Sequence, residues 1–189
     1  MIEQKATAVT EKNEPTGFEA EPGFFEQLVP DGETRLVVSV PVALLPKVHR
    51  ALVSVMSGPM GFLFRQQVDR QAPREEGAPP LDYVSLGQPK AAVMSALVRF
   101  DGLLYRDARG EFWVRGENGD SVILDTDGLV FCYPDDLAFR DALEAQGIPC
   151  KEVTTVRDQD YVKHWFHSKY DAEERGLINA LGLAEMAPR

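Results

Sequence analysis

Apolar residues recur along most of this chain with spacings that switch between those of helices and those of strands. One helical face is predicted by the i, i+3, i+4, i+7, i+8 series Val48, Ala51, Leu52, Val55 and Met56. Pro46 suits the first turn of that helix, and Gly58-Pro59 ends it. Strand-like segments flank it at residues 34–40 and in MGFLFRQQV. Residues 23–68 are therefore predicted to form a βαβ unit.

The centre of the chain has the strongest β pattern. Four apolar segments, LLYR, EFWV, SVIL and GLVFCY, are separated by DARG, ENGD and DTDG, whose Gly and Asn residues suit tight reversals. This pattern predicts a four-stranded antiparallel meander. Large apolar residues stand at consecutive positions in it, as in Phe112-Trp113-Val114, so neither face of the sheet can be wholly solvent-exposed.

Helices are predicted on both sides of the meander in sequence. One begins near Pro89, and PDDLAFRDALEAQG supplies another, with Asp136 near its start and Gly147 at its end. VTTV, residues 153–156, is predicted to return as a strand parallel to residues 129–132. The predicted fold class is α+β (mixed α/β), with residues 82–189 forming one domain together with 23–68.

Two segments lack an apolar period. Residues 1–22 contain few large apolar side chains and are predicted to form a flexible acidic arm. Residues 69–81 are dense in Pro and charge and are predicted to form an exposed loop or a hinge between two lobes.

Composition places the chain among globular proteins. It has 189 residues, of which 44% are hydrophobic and 26% charged. No apolar run is long enough to cross a bilayer and no signal-peptide pattern is present, so no membrane association is expected and a cytoplasmic location is predicted. The sequence does not indicate an oligomeric state.

Charge narrows the range of partners. Of the net charge of −10, six excess negative charges fall in residues 1–34. The chain lacks the clustered Lys and Arg that nucleic acid requires, so nucleic acid is not an expected ligand. The acidic excess favours a basic protein as the partner.

The two cysteines, Cys132 and Cys150, are predicted to lie at opposite ends of the helix between them. That separation exceeds the Cα distance of about 7 Å that a disulfide allows, so both are expected to stay reduced.

The stretch DYVKHWFHSKYD, residues 160–171, is the most unusual candidate site. On a helix, Asp160, His164, His167 and Asp171 would share one narrow stripe. Such a stripe could bind Zn²⁺ or Ni²⁺, or sense pH through imidazoles whose pKa is raised by carboxylates. The alternative is a solvent-exposed helix face of ordinary charge pairs.

Other acidic residues suit structural roles better than chemistry. DTDG at 125–128 resembles part of a calcium loop but lacks its further ligands, so a tight turn is favoured. Asp125, Asp127, Asp135 and Asp136 could serve acid/base hydrolysis, although turn and capping roles explain each of them. No glycine-rich phosphate loop or nucleophile motif occurs, and no cofactor is predicted.

Three functions remain open. A non-catalytic protein-binding module, such as an adaptor, inhibitor or immunity-type protein, is favoured over an enzyme, and its predicted contact residues are Tyr105, Trp113 and Tyr133. The alternatives are a small metal-dependent or carboxylate-using hydrolase, and a small-ligand-sensing domain with its pocket between the two lobes.

Overall fold

The computed structural model describes residues 3–30, 32–72, 75 and 77–186. Over these residues the chain forms ten strands and five α-helices. The strands are β1 (Ala6–Ala8), β2 (Gly23–Leu28), β3 (Thr34–Ser39), β4 (Met60–Gln66), β5 (Leu81–Gln88), β6 (Gly110–Arg115), β7 (Ser121–Leu124), β8 (Val130–Tyr133), β9 (Tyr161–Lys163) and β10 (Ala184–Glu185). The helices are α1 (Leu45–Val55), α2 (Lys90–Arg99), α3 (Asp101–Arg106), α4 (Leu137–Ala145) and α5 (Asp171–Ala180). None of the helices in these ranges is both long and apolar enough to cross a membrane.

Eight of the strands form one antiparallel sheet in the order β10-β5-β4-β6-β7-β8-β3-β2, and β1 pairs with β9 in a second, two-stranded sheet. The α+β class is confirmed. The predicted βαβ order is present as β3, α1 and β4, and the two strands β3 and β4 run in the same direction. The meander strands β8, β7 and β6 lie between β3 and β4, so α1 crosses over them.

The meander has three of its four predicted strands. The first segment, LLYR, is wrong as a strand because residues 101–106 form α3. Leu103, Leu104 and Tyr105 are all fully buried. α3 buries these three consecutive side chains between the sheet and α5. Its Leu103 N–H donates to Glu173 Oε2 of α5 at 2.8 Å. β6 pairs with β4 instead of with residues 101–106.

The main core lies between the helices and one face of the sheet. Leu36, Cys132, Val122, Val114 and Phe62 form one cross-strand row on this face, and each is 1% exposed or less. Directly paired residues point to the same side of a sheet, so the whole row packs against the helices. Leu52, Leu97, Leu143 and Leu177 reach the same cluster from α1, α2, α4 and α5.

The helix predicted between residues 134 and 147 is confirmed as α4. Asp136 caps it by accepting from the Ala138 N–H at 2.7 Å, and Gly147 adopts a φ of 76° just after its end. The strand predicted at residues 153–156 is wrong, because Thr155 caps a short 3₁₀ turn at Val156–Asp158. Every ladder in the large sheet is consequently antiparallel, not mixed.

The predicted flexible arm over residues 1–22 needs correction at residues 5–9. β1 pairs with β9, and Ala6, Ala8 and Val9 are buried. Lys5 is only 2% exposed, and its ammonium donates to the Gly110 carbonyl at 3.2 Å and lies over the Phe112 ring. This segment has few large apolar side chains, so its sequence does not indicate an ordered structure. Backbone hydrogen bonds to β9 order it instead.

The Pro-rich segment 69–81 joins two neighbouring strands. β4 and β5 pair directly from Gln66↔Leu81 onward, so the segment closes a hairpin and does not separate two lobes. The described residues 71, 72, 75, 77, 79 and 80 are exposed, in agreement with the predicted loop, whereas residues 73, 74 and 76 lie outside the described part.

Arg109 lies at the centre of a buried ionic cluster. Its guanidinium is fully buried and donates to both carboxylate oxygens of Asp107 at 3.0 Å, to Glu174 Oε2 at 2.9 Å and to Asp171 Oδ1 at 2.7 Å. Burial alone would lower the pKa of Arg109, but hydrogen bonds and charge from Asp107 and Asp171 hold it above its ordinary value. The cluster fastens α5 to the start of β6.

Replacing Arg109 should destabilise the fold strongly. In Arg109→Met, the buried carboxylates of Asp107 and Glu174 lose their cation, and we expect the free energy of unfolding to fall by about 3–5 kcal/mol. Urea unfolding followed by circular dichroism measures this loss. The matched control is Arg106→Met, whose half-exposed pair with Asp101 at 3.5 Å should contribute less than about 1 kcal/mol. Equal losses in both variants would contradict the role given to Arg109.

Lys5 should give stability a pH dependence of defined sign. Burial lowers the pKa of Lys5 from 10.5 to about 8. Above that value the unfolded chain binds one more proton than the folded chain, so stability from this group rises with pH until the unfolded pKa is passed. Relative to Lys5→Met, the wild-type protein should gain up to about 1.4 kcal/mol per pH unit. Urea unfolding from about pH 7 to about pH 10 tests this, and parallel profiles would rule out a buried Lys5.

Candidate protein-binding site

The face of the sheet opposite the helices, called the open face below, carries a continuous apolar row. Each strand of the large sheet contributes one directly paired residue to it. The row consists of Phe25, Val37, Phe131, Ile123, Trp113, Leu63, Val84 and Ala184. Because strand side chains alternate between faces, the strands that supply the core on one side must supply this row on the other.

The row is only partly covered. Val37, Ile123 and Phe131 are buried, whereas Phe25, Trp113, Leu63 and Val84 keep part of their surface exposed. The buried cluster on this face comprises sheet residues and Leu129, with no member from any described helix. In most proteins a second layer of secondary structure covers such a face. Here no residue of a described helix belongs to the buried cluster.

Arginines lie over the aromatic residues of the row. The guanidinium carbon of Arg35 is 4.2 Å from the Phe131 ring centre, and that of Arg157 is 5.5 Å from the same ring. Arg65 lies 5.4 Å from the ring of Trp113 while it pairs in bidentate fashion with Asp82 at 2.9 Å. These stacking contacts fix the arginine side chains while leaving their edges able to donate hydrogen bonds.

A shallow depression of about 190 Å³ lies around the middle of the row. Its border consists of Arg35, Glu111, Trp113, Ile123, Asp125, Phe131, Tyr133 and Arg157. Arg35 donates to the Tyr133 hydroxyl, and the Trp113 indole N–H donates to Glu111 Oε2 at 3.2 Å. Aromatic and arginine side chains around an apolar centre are the residue types that most often anchor protein interfaces.

Arg157 connects the depression to the turn between β7 and β8. It donates to Asp125 Oδ2 at 2.6 Å and to Asp127 Oδ2 at 2.7 Å, and Lys163 pairs with Asp127 at 2.8 Å. Burial raises the pKa of Asp125 to about 6, although Arg157 opposes this shift. Burial would also raise the pKa of Asp127, but Lys163 and Arg157 hold it below its ordinary value.

Two of the three predicted contact residues lie on the open face. Trp113 and Tyr133 border the same depression. Tyr105 is wrong as a contact residue, because it belongs to α3 and is fully buried, with its hydroxyl 2.9 Å from His49 Nδ1. Sequence reasoning missed Arg35, Phe131 and Arg157. The consecutive apolar residues of β8 could have indicated Phe131, but no local pattern pairs Arg157 with residues thirty positions earlier.

The stripe predicted from Asp160, His164, His167 and Asp171 is absent, since residues 160–171 contain β9, an irregular segment and a 3₁₀ turn. His164 Nε2 lies 2.7 Å from the Thr7 hydroxyl, and Asp171 pairs with Arg109 and Arg70. Burial, followed by the charge of His167, lowers the pKa of His164, opposite to the predicted direction. Within the described residues, no group of three or more His, Cys, Asp or Glu side chains is arranged to bind a metal.

The acidic residues considered for hydrolysis have structural partners. Asp125 Oδ1 accepts the N–H groups of Asp127 and Leu129, each at 2.8 Å, and Gly128 has a φ of 85°. The tight-turn interpretation of DTDG is therefore confirmed. Asp136 caps α4, and Asp135 pairs with Arg140.

These features define an α+β protein whose sheet is covered by helices on one face and only partly covered on the other. Comparisons of the chain with protein-family models, curated proteins and solved structures each found no match.

Removing the Arg157 side-chain charge should destabilise the turn beneath the depression. In Arg157→Gln, Asp125 loses its cation while it remains buried, so we expect a loss of about 1–2 kcal/mol after allowance for the partial exposure of Arg157. Urea unfolding measures the loss. Lys151→Gln breaks the exposed pair with Glu21 and should cost less than about 0.5 kcal/mol. A loss in Arg157→Gln no larger than in this control would show that the pairing is not stabilising.

Proposed function

We propose that this protein is a non-catalytic cytoplasmic protein-binding module, of the adaptor, inhibitor or immunity type, that engages a protein partner through the open face. The observation that carries the proposal is the apolar row that crosses the whole sheet without a helix in its buried cluster. The partly exposed members of the row, Phe25, Leu63, Trp113 and Val84, keep apolar surface in water. A partner that covers them would gain roughly 25 cal/mol for each Å² of apolar surface removed from water.

The residues around the row support a protein partner over a small molecule. The depression is shallow, whereas small molecules usually bind in deep concave pockets. Trp113, Tyr133 and Arg35 are of the types that dominate binding energy in protein interfaces, and all three border the depression. The mutual contacts of Arg35 with Phe131 and Tyr133 hold these side chains in place before binding, which lowers the entropic cost of association.

Charge favours a partner with a basic surface that also places carboxylates beside its apolar contact area. The net charge of −10 attracts a basic protein over long distance. At close range, Arg35 and Arg115 border the row, and neither forms an ion pair with any residue in the described ranges. Carboxylates of the partner would supply the missing counter-charges.

The state of the two cysteines supports the cytoplasmic part of the proposal. Cys132 is buried and Cys150 is exposed, and both are free thiols. An exposed free thiol is more typical of a reducing compartment than of an oxidising one.

Affinity capture from the native host with the full-length chain as bait tests the proposed interface. The double variant Trp113→Glu, Tyr133→Glu places two carboxylates on the open face and should remove a stoichiometric protein partner that the wild-type bait retains. The control is Val98→Glu, which makes the same type of change at an exposed position of α2 and should retain that partner.

The baits that retain the partner show whether the open face is its binding site. Loss of the partner in the double variant alone supports the open face, provided that circular dichroism shows the variant to be folded. Retention by all baits, or loss in Val98→Glu alone, would place the interface elsewhere. Failure of the wild-type bait to retain any stoichiometric protein would overturn the proposed function.

A further inference from the structure

A second concave site lies beneath the N-terminal segment and shares the turn between β7 and β8 with the depression. A cavity of about 410 Å³ is enclosed by residues 4–8 and 15–20 on one side and by residues 39–45 on the other. The turn between β7 and β8, Tyr105 and Val156 complete its lining. This volume lies within the usual range of small-molecule sites, about 300–1,000 Å³.

The roof of the cavity is the segment predicted to be a flexible arm. The chain reverses after β1 and returns, with the Thr16 N–H donating to the Ala8 carbonyl at 3.0 Å and Val9 bridging Pro15. Backbone bonds from Val9 to Asp160 at 2.7 Å and from His164 to Lys5 at 2.8 Å attach this hairpin to the body. The order of the roof thus depends on main-chain contacts rather than on filling the space beneath it.

The walls are largely apolar. Val40, Val42, Leu45, Leu129 and Phe18 contribute side chains, and small residues such as Ala6 and Ala8 leave the space open. Apolar walls around an unfilled cleft of this size lack dispersion contacts, so an apolar occupant would be stabilised there.

Ser39 supplies an unfulfilled polar group in these walls. Ser39 is one of the lining residues and is 1% exposed, and its hydroxyl has no hydrogen-bond partner within the described part of the chain. A buried hydroxyl without a partner costs free energy, which a hydrogen bond from an occupant would recover.

The Tyr105 hydroxyl is a second polar group that could form further hydrogen bonds. It lies 2.9 Å from His49 Nδ1, and His49 is fully buried. Burial lowers the pKa of His49 to about 3, so the ring is neutral. His49 Nε2 also has no partner in the described ranges, so this pair forms one hydrogen bond where its groups could form several.

The charged residues in the lining favour an uncharged occupant. The lining has three charged residues, Lys5, Glu19 and Asp127; Glu19 is exposed to solvent, and Asp127 is already paired with Lys163 and Arg157. The ammonium of Lys5 points to the Gly110 carbonyl and the Phe112 ring. A ligand charge placed in the apolar part of the cavity would therefore lack a buried counter-ion that is not already engaged, at a high desolvation cost.

We propose that the cavity between the N-terminal hairpin and residues 39–45 binds an uncharged, largely apolar small molecule with one hydroxyl or carbonyl group, which hydrogen-bonds to Ser39. This site meets the open face at Leu129, which also belongs to the buried cluster there, but the proposal does not rest on the proposed protein-binding function. The apolar part of the molecule lies against Val40, Val42 and Leu129, and the N-terminal hairpin covers it on the other side.

The fluorescent probe N-phenyl-1-naphthylamine, with the full-length chain, tests the site. Its emission should rise saturably in the wild-type protein as it enters an apolar cavity. Three competitors with the same chain length, 1-octanol, octanoate and octylamine, then distinguish the chemical class of the ligand. We expect 1-octanol to displace the probe at several-fold lower concentration than either charged competitor.

Two variants connect the binding to this cavity. Ser39→Ala removes an unpaired hydroxyl, so the fold should tolerate it, and 1-octanol should bind about fivefold more weakly while probe affinity stays unchanged. Val42→Phe fills part of the space and should weaken both molecules. Val98→Phe, an equal change on the exposed side of α2, should affect neither.

Each outcome decides the proposal. The pattern above supports it. Absence of saturable probe binding to the folded wild-type protein, preferential displacement by octanoate or octylamine, or binding that neither Ser39→Ala nor Val42→Phe weakens would overturn it. Because none of these readouts involves Trp113 or Tyr133, the result is independent of the partner-capture experiment.

Discussion

The sheet of this protein is apolar on both faces, and the rest of the structure follows from that constraint. Strands such as β6 place Phe112 and Val114 toward the helices, where they are fully buried, and Trp113 toward the opposite side. The described helices supply one layer, and their side chains complete the core on one face only. The other face keeps its apolar row, with stacked arginines in place of a second layer. A two-layer architecture with an only partly covered apolar face is a natural basis for association.

Buried polar contacts hold the segments that the sheet itself does not fix. Arg109 joins the start of β6 to α5 through Asp107, Asp171 and Glu174. At the N-terminus, β1 and Lys5 attach the chain beside β9 and above Gly110. Such ion pairs contribute little net free energy of folding when compared with apolar packing in their place. Removing one member, however, leaves a buried unpaired charge. The pairs therefore restrict the chain to one arrangement. The cavity lies where this attached N-terminal hairpin spans the end of the sheet.

Local patterns predicted much of the fold and little of the site. The i, i+3, i+4 spacing located α1, and capping residues located both ends of α4, because these signals lie within a few neighbouring residues. LLYR failed because three large apolar residues suit a strand as well as a helix, and burial by α5 decided between them. Residues 160–171 failed for a related reason: backbone pairing of Tyr161–Lys163 with β1 outweighed the helical spacing of the polar side chains. Trp113 and Tyr133 could be proposed as contacts from their type alone, whereas the pairing of Arg157 with Asp125 and Asp127 depends on tertiary structure.

The central claim is that the open face, and not the helical face, contacts the partner. Hydroxyl-radical footprinting with mass spectrometry tests it directly, because the two tryptophans report from different places. Trp113 belongs to the apolar row, and Trp165 is 41% exposed in the segment after β9. In the complex with a captured partner, oxidation of Trp113 and Tyr133 should fall severalfold while oxidation of Trp165 stays unchanged. Unchanged oxidation of Trp113 and Tyr133 in a complex that protects Trp165 or the exposed positions of α2 would contradict the account.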